Sequence, residues 1–415
     1  MFNKTVLDNG IQVISEEINH VRSVSIGIWV RCGSRYEDDT SHGMAHFIEH
    51  MLFKGTKSRS AFDIARTIDS VGGVMNAFTG KEFTSFYVKI PDYHLQLALD
   101  LLADIFMNSR FDGREIAKEK SVVIQEINML EDTPDDYIHD FFEALFWNGH
   151  ALGFPILGTR EQVKAFQKQK LLRFFESNYK KSLVLAAAGR LKHHTLVDLV
   201  SRAFGPLRSE LSKVEAIPPT VSSKVAVIEK DLEQVHIVIG CLAPSAVSNQ
   251  RYASLLLNAI IGGASSSRFF QEIREKKGLA YVIQSYLVPY MDVGMFGAYV
   301  GTHKNKAQEV LCSIFEIMKE LREKPPAEEE LHTAKELVKG NFLLGMENTD
   351  NRMTKLAKSE ICFGRQLSTE EIIAGIESAT SEEICSLART MFVPEIISFA
   401  AIGKISEKDV SLPLF

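Results

Sequence analysis

The sequence has 415 residues, enough for two or three domains of about 100–200 residues each, and we expect two. Its 47 Lys and Arg residues and 53 Asp and Glu residues give a formal net charge of -6. This balance provides no electrostatic basis for binding nucleic acid or an anionic membrane surface. The longest apolar stretches, such as Leu255–Ile261, are much shorter than the roughly 20 residues of a membrane span, so we predict no membrane insertion.

The N-terminus and the cysteines favour a cytoplasmic protein. Met1–Lys4 lead at once into strand-like alternation, without the apolar segment and small-residue cleavage site of a signal peptide. The five cysteines lack paired spacing, which predicts reduced thiols that fill space as small apolar residues. A reactive thiol is the alternative, although no local signature supports one. The cysteines are Cys32, Cys241, Cys312, Cys362 and Cys385.

A stretch rich in Pro and Ser near the middle, from Ser209 to Ser223, lacks apolar periodicity and predicts a linker. We therefore place an N-terminal domain at 1–212 and a C-terminal domain at 223–415. The same order of elements follows on both sides, which indicates an internal duplication. Apolar residues at period two predict strands in each half: Ile11–Val13 and Val24–Val30, then Val225–Val227 and Val235–Ile239.

Helical patterns follow these strands in both halves. An amphipathic segment ends at Gly55 in the first half and near Gly262 in the second. Longer amphipathic helices are predicted at Leu95–Phe106 and Ala327–Leu344. Strands segregated among long helices predict an α+β fold, in which each domain is a mostly antiparallel or mixed β-sheet covered by long α-helices.

The segment from His42 to Gly55 predicts a helix with Ser41 as its N-cap. At about 100° per residue, its apolar residues form one stripe, and three polar side chains cluster on the opposite face: His46, Glu49 and His50. Two imidazoles one turn apart can bind one zinc ion through bonds of about 2 Å, and a carboxylate between them can act as a base. The order His-x-x-Glu-His is that of the inverted zincins. A solvated helix face is the alternative.

A third ligand is sought further along the chain, because a catalytic zinc ion needs three protein ligands and one open position. Glu119 and Glu126, seven residues apart, lie on the apolar face of a predicted helix from Glu115 to Glu131. Burying two carboxylates on such a face is unfavourable unless a cation or strong hydrogen bonds compensate. Pairing with a buried Arg or Lys is the alternative to metal binding.

With these motifs, the sequence resembles the pitrilysin and insulysin metallopeptidase family over essentially its whole length. The resemblance is strongest to the two-domain branch that contains the mitochondrial processing peptidase β-subunit and its bacterial relatives. In that family the third ligand is a glutamate about 76 residues after the last motif histidine, which implies Glu126. A second glutamate seven residues earlier supports the ligands, which implies this role for Glu119.

The segment Gly72–Thr79 resembles the edge strand of the family that pairs with the substrate backbone beside the zinc ion. An exposed edge strand can bind an extended peptide through main-chain hydrogen bonds. Without the resemblance, a Gly-Gly turn before an interior strand explains the segment equally well. The implied substrate-binding residues are Asn76, Ala77 and Phe78.

The segment Ser266–Tyr281 resembles the C-terminal signature of the family and implies catalytic roles for Arg274 and Tyr281. A guanidinium group and a phenol can donate hydrogen bonds to a substrate carbonyl or a developing oxyanion. Without the resemblance, Arg274 would be interpreted as a surface cation and Tyr281 as an ordinary strand residue.

The second half lacks a matching metal motif. Aligning Gly55 with Gly263 places three non-ligating residues where the first half has His46, Glu49 and His50, namely Ser254, Leu257 and Asn258. We therefore expect one zinc ion per chain.

These observations predict a zinc metalloendopeptidase in which His46, His50 and Glu126 bind zinc. Glu49 takes a proton from the zinc-bound water and passes it to the leaving amine. The resemblance implies a homodimer that closes as a clamshell, with Arg274 and Tyr281 of one chain facing the zinc of the other. Its implied substrates are unfolded peptides or presequence-like segments.

Two other functions and two other metals fit the same sequence. The chain could be a non-catalytic scaffold member of the family, although every element of the metal motif is present. It could also be an enzyme that is active only beside a different, metal-free chain. Manganese or cobalt could replace zinc at this set of ligands.

Overall fold

The computed structural model describes residues 2–181, 183–209 and 219–413. In the first half of the chain, the strands are Phe2–Val6 (β1), Gln12–Glu17 (β2), Ser23–Val30 (β3), Val74–Thr79 (β4), Thr84–Pro91 (β5) and Leu183–Gly189 (β6). The helices are Met44–Leu52 (α1), Ala61–Asp69 (α2), Leu95–Asn108 (α3), Gly113–Glu131 (α4), Pro134–Phe146 (α5), Arg160–Ala165 (α6), Lys168–Phe174 (α7) and His193–Phe204 (α8).

The second half contains five strands and six α-helices among the described residues. The strands are Val225–Glu229 (β7), Val235–Ala243 (β8), Ala280–Pro289 (β9), Gly294–Thr302 (β10) and Ser398–Gly403 (β11). The helices are Arg251–Ile261 (α9), Ala307–Glu323 (α10), Glu328–Gly345 (α11), Thr349–Phe363 (α12), Thr369–Ser378 (α13) and Ser381–Met391 (α14).

Two mixed sheets repeat the same topology. The first has the order β1-β2-β6-β3-β5-β4, and the second has the order β7-β11-β8-β10-β9. Apart from the additional β1, the orders match strand for strand. One pair in each sheet is parallel, β2 with β6 and β7 with β11, and the other neighbours are antiparallel. This agreement supports the internal duplication, and the α+β fold predicted from the sequence is confirmed.

Strand β3 shows why the central strands are apolar on both sides. Ile26, Ile28 and Val30 face the large core beneath α1, α3 and α4, whereas Trp29 faces the other side of the sheet. Successive side chains of a strand point to opposite faces, so a strand covered on both faces becomes almost continuously hydrophobic.

Contacts divide the chain into two units that are each discontinuous in sequence. The first unit comprises Met1–Met129, Phe154–Glu215 and Leu344–Gln366. The second comprises Leu130–Gly153, Ala216–Leu343 and Leu367–Phe415. The boundaries predicted from the sequence, 1–212 and 223–415, are continuous segments and stay a prediction. The predicted linker lies largely outside the described residues.

The units are discontinuous because each half of the chain contributes one helix that covers the sheet formed by the other half. Helix α12, from the second half, covers the first sheet through Met353, Leu356 and Ala357, which pack on Trp29 and its neighbours. Helix α5, from the first half, covers the second sheet through Ile138 and Phe142. Each sheet is thus buried on both faces.

Helix bounds agree with the sequence pattern at α3 and α11, which begin and end within two residues of the predictions. The five cysteines are all free thiols, and Cys32, Cys241 and Cys385 are buried. Across the part of the chain that the structure describes, no helix is long and apolar enough to cross a membrane.

Candidate metal centre and active site

Helix α1 carries the predicted motif, but it begins later than predicted. Its first residue is Met44, and its N-cap is Gly43, whose φ of 83° is in the left-handed region. A Cβ atom at Gly43 would lie 2.5 Å from the carbonyl oxygen of Leu157, so a larger residue would not fit. The predicted N-cap, Ser41, instead exchanges hydrogen bonds with Asp38.

Glu37 takes over the capping function. One carboxylate oxygen accepts a hydrogen bond from the N–H of Gly43 at 2.8 Å, and the other accepts from the N–H of Ala45 at 2.7 Å. Both donors belong to the helix N-terminus, which carries N–H groups without partners in the helix and a partial positive charge. Burial raises the pKa of Glu37 to about 8, although these two N–H donors and the charge of Lys81 lower it.

The three predicted ligands converge between α1 and α4. The Nε2 atoms of His46 and His50 lie 3.9 Å and 3.7 Å from Oε2 of Glu126. One ligand atom from each residue lies within 4.8 Å of the other two. Oε2 of Glu126 is buried and has no hydrogen-bond partner among the described residues. A buried carboxylate oxygen without a donor indicates a place for a cation.

This arrangement fits a zinc ion. Bonds of about 2 Å at tetrahedral angles place neighbouring ligand atoms roughly 3.3 Å apart, so small side-chain movements would complete the geometry. Two imidazole nitrogens and one carboxylate oxygen are also the donor types that zinc prefers.

Burial and charge affect the two histidines differently. Burial lowers the pKa of His46 to about 3, with a further contribution from the nearby positive charge of His50. Burial also acts to lower the pKa of His50, but its hydrogen bond with Glu119 and the charge of Glu126 raise it overall. His46 is therefore neutral and available as a ligand over a wide pH range, whereas protons compete for His50.

Glu119 is buried, with 3% of its surface exposed, and contacts one of the three predicted ligands. Its Oε2 atom lies 3.0 Å from Nδ1 of His50, and its Oε1 atom lies 2.7 Å from Nζ of Lys54. Burial opposes ionisation of Glu119, but these two partners outweigh it and lower the pKa. The sequence predicts either metal binding or a buried cation as compensation for Glu119, and the structure shows contacts with His50 and Lys54 together.

Glu49 projects from α1 beside the last residue of β4. Its Oε2 atom accepts a hydrogen bond from the hydroxyl of Thr79 at 2.5 Å. Burial raises the pKa of Glu49, while the bond from Thr79 acts in the opposite direction. A half-buried carboxylate with a raised pKa near possible metal ligands is suited to accept and return a proton.

Strand β4 lies at the edge of the first sheet, so Asn76, Ala77 and Phe78 are not in an interior strand. The N–H of Ala77 donates to its neighbour's side-chain oxygen, Oδ1 of Asn76, and therefore points away from β5. The ring of Phe78 packs on Trp29, on the opposite face of the sheet from α1. Because backbone groups of successive strand residues point to opposite sides, those of Phe78 point towards β5, where it pairs with Ser85.

Arg274 and Tyr281 belong to the second unit. Arg274 lies in a π-helical turn, Phe270–Lys276, with its guanidinium carbon 4.6 Å from the centre of the Phe270 ring. Tyr281 is on β9, the edge strand of the second sheet, and 60% of its surface is exposed.

The positions aligned with the motif in the second half have structural contacts. Ser254 donates to the carbonyl of Gln250, Leu257 is in the core, and the carbonyl of Asn258 accepts from Gly262 and Gly263. Among the described residues, His46, His50 and Glu126 form the one group with metal-binding spacing.

Sequence reasoning missed three residues of the site: Glu37, Lys54 and Thr79. Lys54 is one turn after His50, so its spacing could have suggested a shared partner. Thr79 is the last residue of the segment Gly72–Thr79, which resembles the edge strand of the family. Glu37 offered no local signal, because it is six residues from Gly43 across an irregular turn.

Comparisons with protein families and with individual proteins both identify peptidase relatives. Residues 12–160 match the protein family described as "Insulinase (Peptidase family M16)", and residues 165–338 match "Peptidase M16 inactive domain". The chain is 37% identical over 396 residues to "Uncharacterized zinc protease YmxG" of Bacillus subtilis, covering 95% of this chain and 97% of that protein. It is 36% identical to an uncharacterized zinc protease of Rickettsia bellii, covering 97% of each chain.

Two solved structures share the fold. A protease from Helicobacter pylori superposes with a TM-score of 0.89 at 19% identity, covering 97% of this chain and 99% of that one. A peptidase M16 inactive domain from Pseudomonas fluorescens gives a TM-score of 0.90 at 18% identity, covering 98% of each chain.

Proposed function

We propose that this chain, which belongs to the insulinase family of peptidases (family M16), is a zinc-dependent endopeptidase. The observation that carries the proposal is the convergence of His46, His50 and Glu126, with Oε2 of Glu126 buried and lacking a hydrogen-bond donor. The names of the related zinc proteases support the choice of metal. One zinc ion per chain is part of the proposal.

Zinc, when bound, supplies a Lewis acid that lowers the pKa of a coordinated water molecule. The chain's own residues then have distinct roles. His46, His50 and Glu126 hold the ion, and Glu119 orients His50 through Nδ1. Glu49 accepts a proton at its carboxylate and delivers it to the amine that leaves when the peptide bond breaks. The raised pKa of Glu49, caused by burial, makes its carboxylate a stronger base and so favours uptake of the proton.

The proposed substrates are peptides in extended conformation, such as unfolded chains or presequence-like segments. An edge strand recognises a peptide through its main chain, which gives affinity without strict side-chain specificity. Strand β4 has this position, and Ala77 directs its N–H away from the sheet. A folded protein would have to unfold locally before it could pair with β4.

The proposed assembly is a homodimer in the cytoplasm. The resemblance to two-domain relatives motivates a clamshell chamber in which Arg274 and Tyr281 serve the zinc site of the partner chain. The exposure of Tyr281 supports a role outside its own core. Free thiols at all five cysteines support a reducing compartment.

The test combines metal analysis with peptide cleavage. Purified protein should contain zinc, and it should cleave members of an unstructured peptide library internally. Glu49→Gln should keep the zinc and bind peptide, yet lose several orders of magnitude in kcat. Glu126→Ala should lose tightly bound zinc without unfolding, whereas the neighbouring change Gln125→Ala should not.

Four outcomes would contradict this function or assign it differently. Cleavage by Glu49→Gln at the rate of the unchanged protein would show that Glu49 is not the base. Full zinc occupancy in Glu126→Ala would place the third ligand elsewhere. A protein that binds zinc and peptides but cleaves none of the library would favour the scaffold function, and cleavage restored by adding a metal-free relative would favour the partner-dependent enzyme.

A further inference from the structure

Thr79 connects the edge strand to the candidate base. It is the last residue of β4, and its hydroxyl donates to Oε2 of Glu49. The other oxygen of Glu49, Oε1, has no hydrogen-bond partner in the described ranges. A donor on one oxygen restricts rotation of the carboxylate and leaves the second oxygen free to exchange a proton.

The backbone of Thr79 is itself held in place. Thr79 pairs with Thr84 of β5, which is completely buried and donates from its hydroxyl to the carbonyl of Cys32 at 2.8 Å. The hydroxyl of Tyr179 lies 3.3 Å from the Thr84 hydroxyl and donates to the carbonyl of Ala45 in α1 at 2.9 Å. The end of β4 and helix α1 are therefore connected through buried groups, which fixes the distance between Thr79 and Glu49.

We propose that Thr79 is a positioning residue that holds Glu49 in its reactive orientation and sets its distance from a peptide bound along β4. The inference rests on the proposed function. Ala77, which directs an N–H outward for a peptide, is two residues from Thr79 on the same strand. Strand β4 would thus position both the peptide and the base. The hydroxyl of Thr79 is the group that connects this strand to Glu49.

The first test separates turnover from binding. Thr79→Val has nearly the same shape but cannot donate, and Thr79→Ser restores the donor. We expect Thr79→Val to lower kcat about 10- to 100-fold while KM and zinc content change less than about twofold, and Thr79→Ser to recover most of the loss. If Thr79→Val does not fold, Thr79→Ala replaces it, with zinc content and the unfolding temperature as checks.

The second test asks whether Thr79 acts through Glu49. In a chain that already carries Glu49→Gln, adding Thr79→Val should not reduce the residual rate further, because the two residues form one unit. The double variant should also bind a fluorescent peptide with the Kd of Glu49→Gln alone. Equal and independent losses in both backgrounds would overturn the inference, as would a Thr79→Ser variant as slow as Thr79→Val, or a Thr79→Val variant with unchanged kcat.

These outcomes can be distinguished from a failure of the proposed function. If the unchanged protein shows no zinc-dependent cleavage, or Glu49→Gln keeps full activity, the function itself is wrong. If both of those controls behave as expected and Thr79→Val is fully active, the inference about Thr79 alone is rejected.

Discussion

Glu119 contacts His50 through the imidazole nitrogen opposite to the one that faces the other ligands. Nδ1 lies 3.0 Å from Glu119, and Nε2 lies 3.7 Å from Glu126. With Nδ1 as the N–H donor to Glu119, the lone pair of Nε2 is free for a metal ion. The buried carboxylate therefore selects the tautomer that can act as a ligand.

Removing the charge of Glu119 should weaken metal binding without removing a ligand. We expect Glu119→Gln to raise the Kd for zinc about 10- to 100-fold, as measured by competition with a chelator of known affinity. The matched control is Glu115→Gln, because Glu115 is one turn earlier on α4 and pairs with Lys118. Equal affinities in the two variants would show that Glu119 has only a structural role.

The two histidines should give the zinc-free protein opposite responses to acid. The folded pKa of His46 is about 3, below its ordinary 6.5, so the unfolded chain binds a proton first as pH falls. This contribution to stability is present above pH 6.5 and is lost on acidification, at up to about 1.4 kcal/mol per pH unit. The folded pKa of His50 is raised, so its contribution is present below pH 6.5 and is lost as pH rises.

Denaturant unfolding in the presence of a chelator, between about pH 4 and pH 8, measures this difference. We expect His46→Gln to lose less stability than the unchanged protein on acidification, and His50→Gln to lose more. Parallel stability curves for the two variants would contradict the assignment of opposite pKa shifts to the two imidazoles.

Glu37 should contribute to the stability of the metal-binding helix. In Glu37→Gln, the amide oxygen can accept from only one of the N–H groups of Gly43 and Ala45, and the NH2 group opposes the other. We expect a loss of about 1–3 kcal/mol in the free energy of unfolding, measured by denaturant titration above pH 8, where the carboxyl of Glu37 is ionised. Glu161→Gln, an exposed change on α6, is the control. An unchanged stability for Glu37→Gln would mean that water or another group replaces the cap.

Mixing two inactive variants tests the shared site of the proposed dimer. Neither Glu49→Gln nor the double variant Arg274→Ala/Tyr281→Phe should cleave peptides well alone. A heterodimer would contain one intact zinc site facing one intact Arg-Tyr pair, so activity should reappear after subunit exchange. Exchange verified by differently tagged chains, without recovered cleavage, would reject a site completed by the partner.

The spacing of the ligands could be predicted because it depends on the helical period alone. His46, Glu49 and His50 share a face wherever α1 is placed, and Glu119 and Glu126 share a face of α4 for the same reason. The helical period does not distinguish the roles of Glu119 and Glu126. Glu119 is buried and Glu126 is half-buried because of the way α4 packs on α1, which the sequence pattern does not specify. Glu37 could not be found, since its bond to Ala45 depends on the path of an irregular turn.

Part of the fold could also be predicted from the sequence. Strands and helices follow from periodicity, and the repeated order indicates a duplication. An amphipathic pattern does not indicate which sheet a helix will cover. The exchange of α5 and α12 between the two sheets could therefore not be predicted from the sequence.

This exchange has a consequence for the order of events during synthesis. The first sheet is buried on one side by α12, whose last residue is Phe363, so that side stays uncovered while Ala186 and Trp29 have already left the ribosome. At about 5–20 residues per second, the delay is roughly 10–30 s. A nascent chain would expose a broad apolar surface throughout that interval, which makes it a substrate for chaperones that bind during translation.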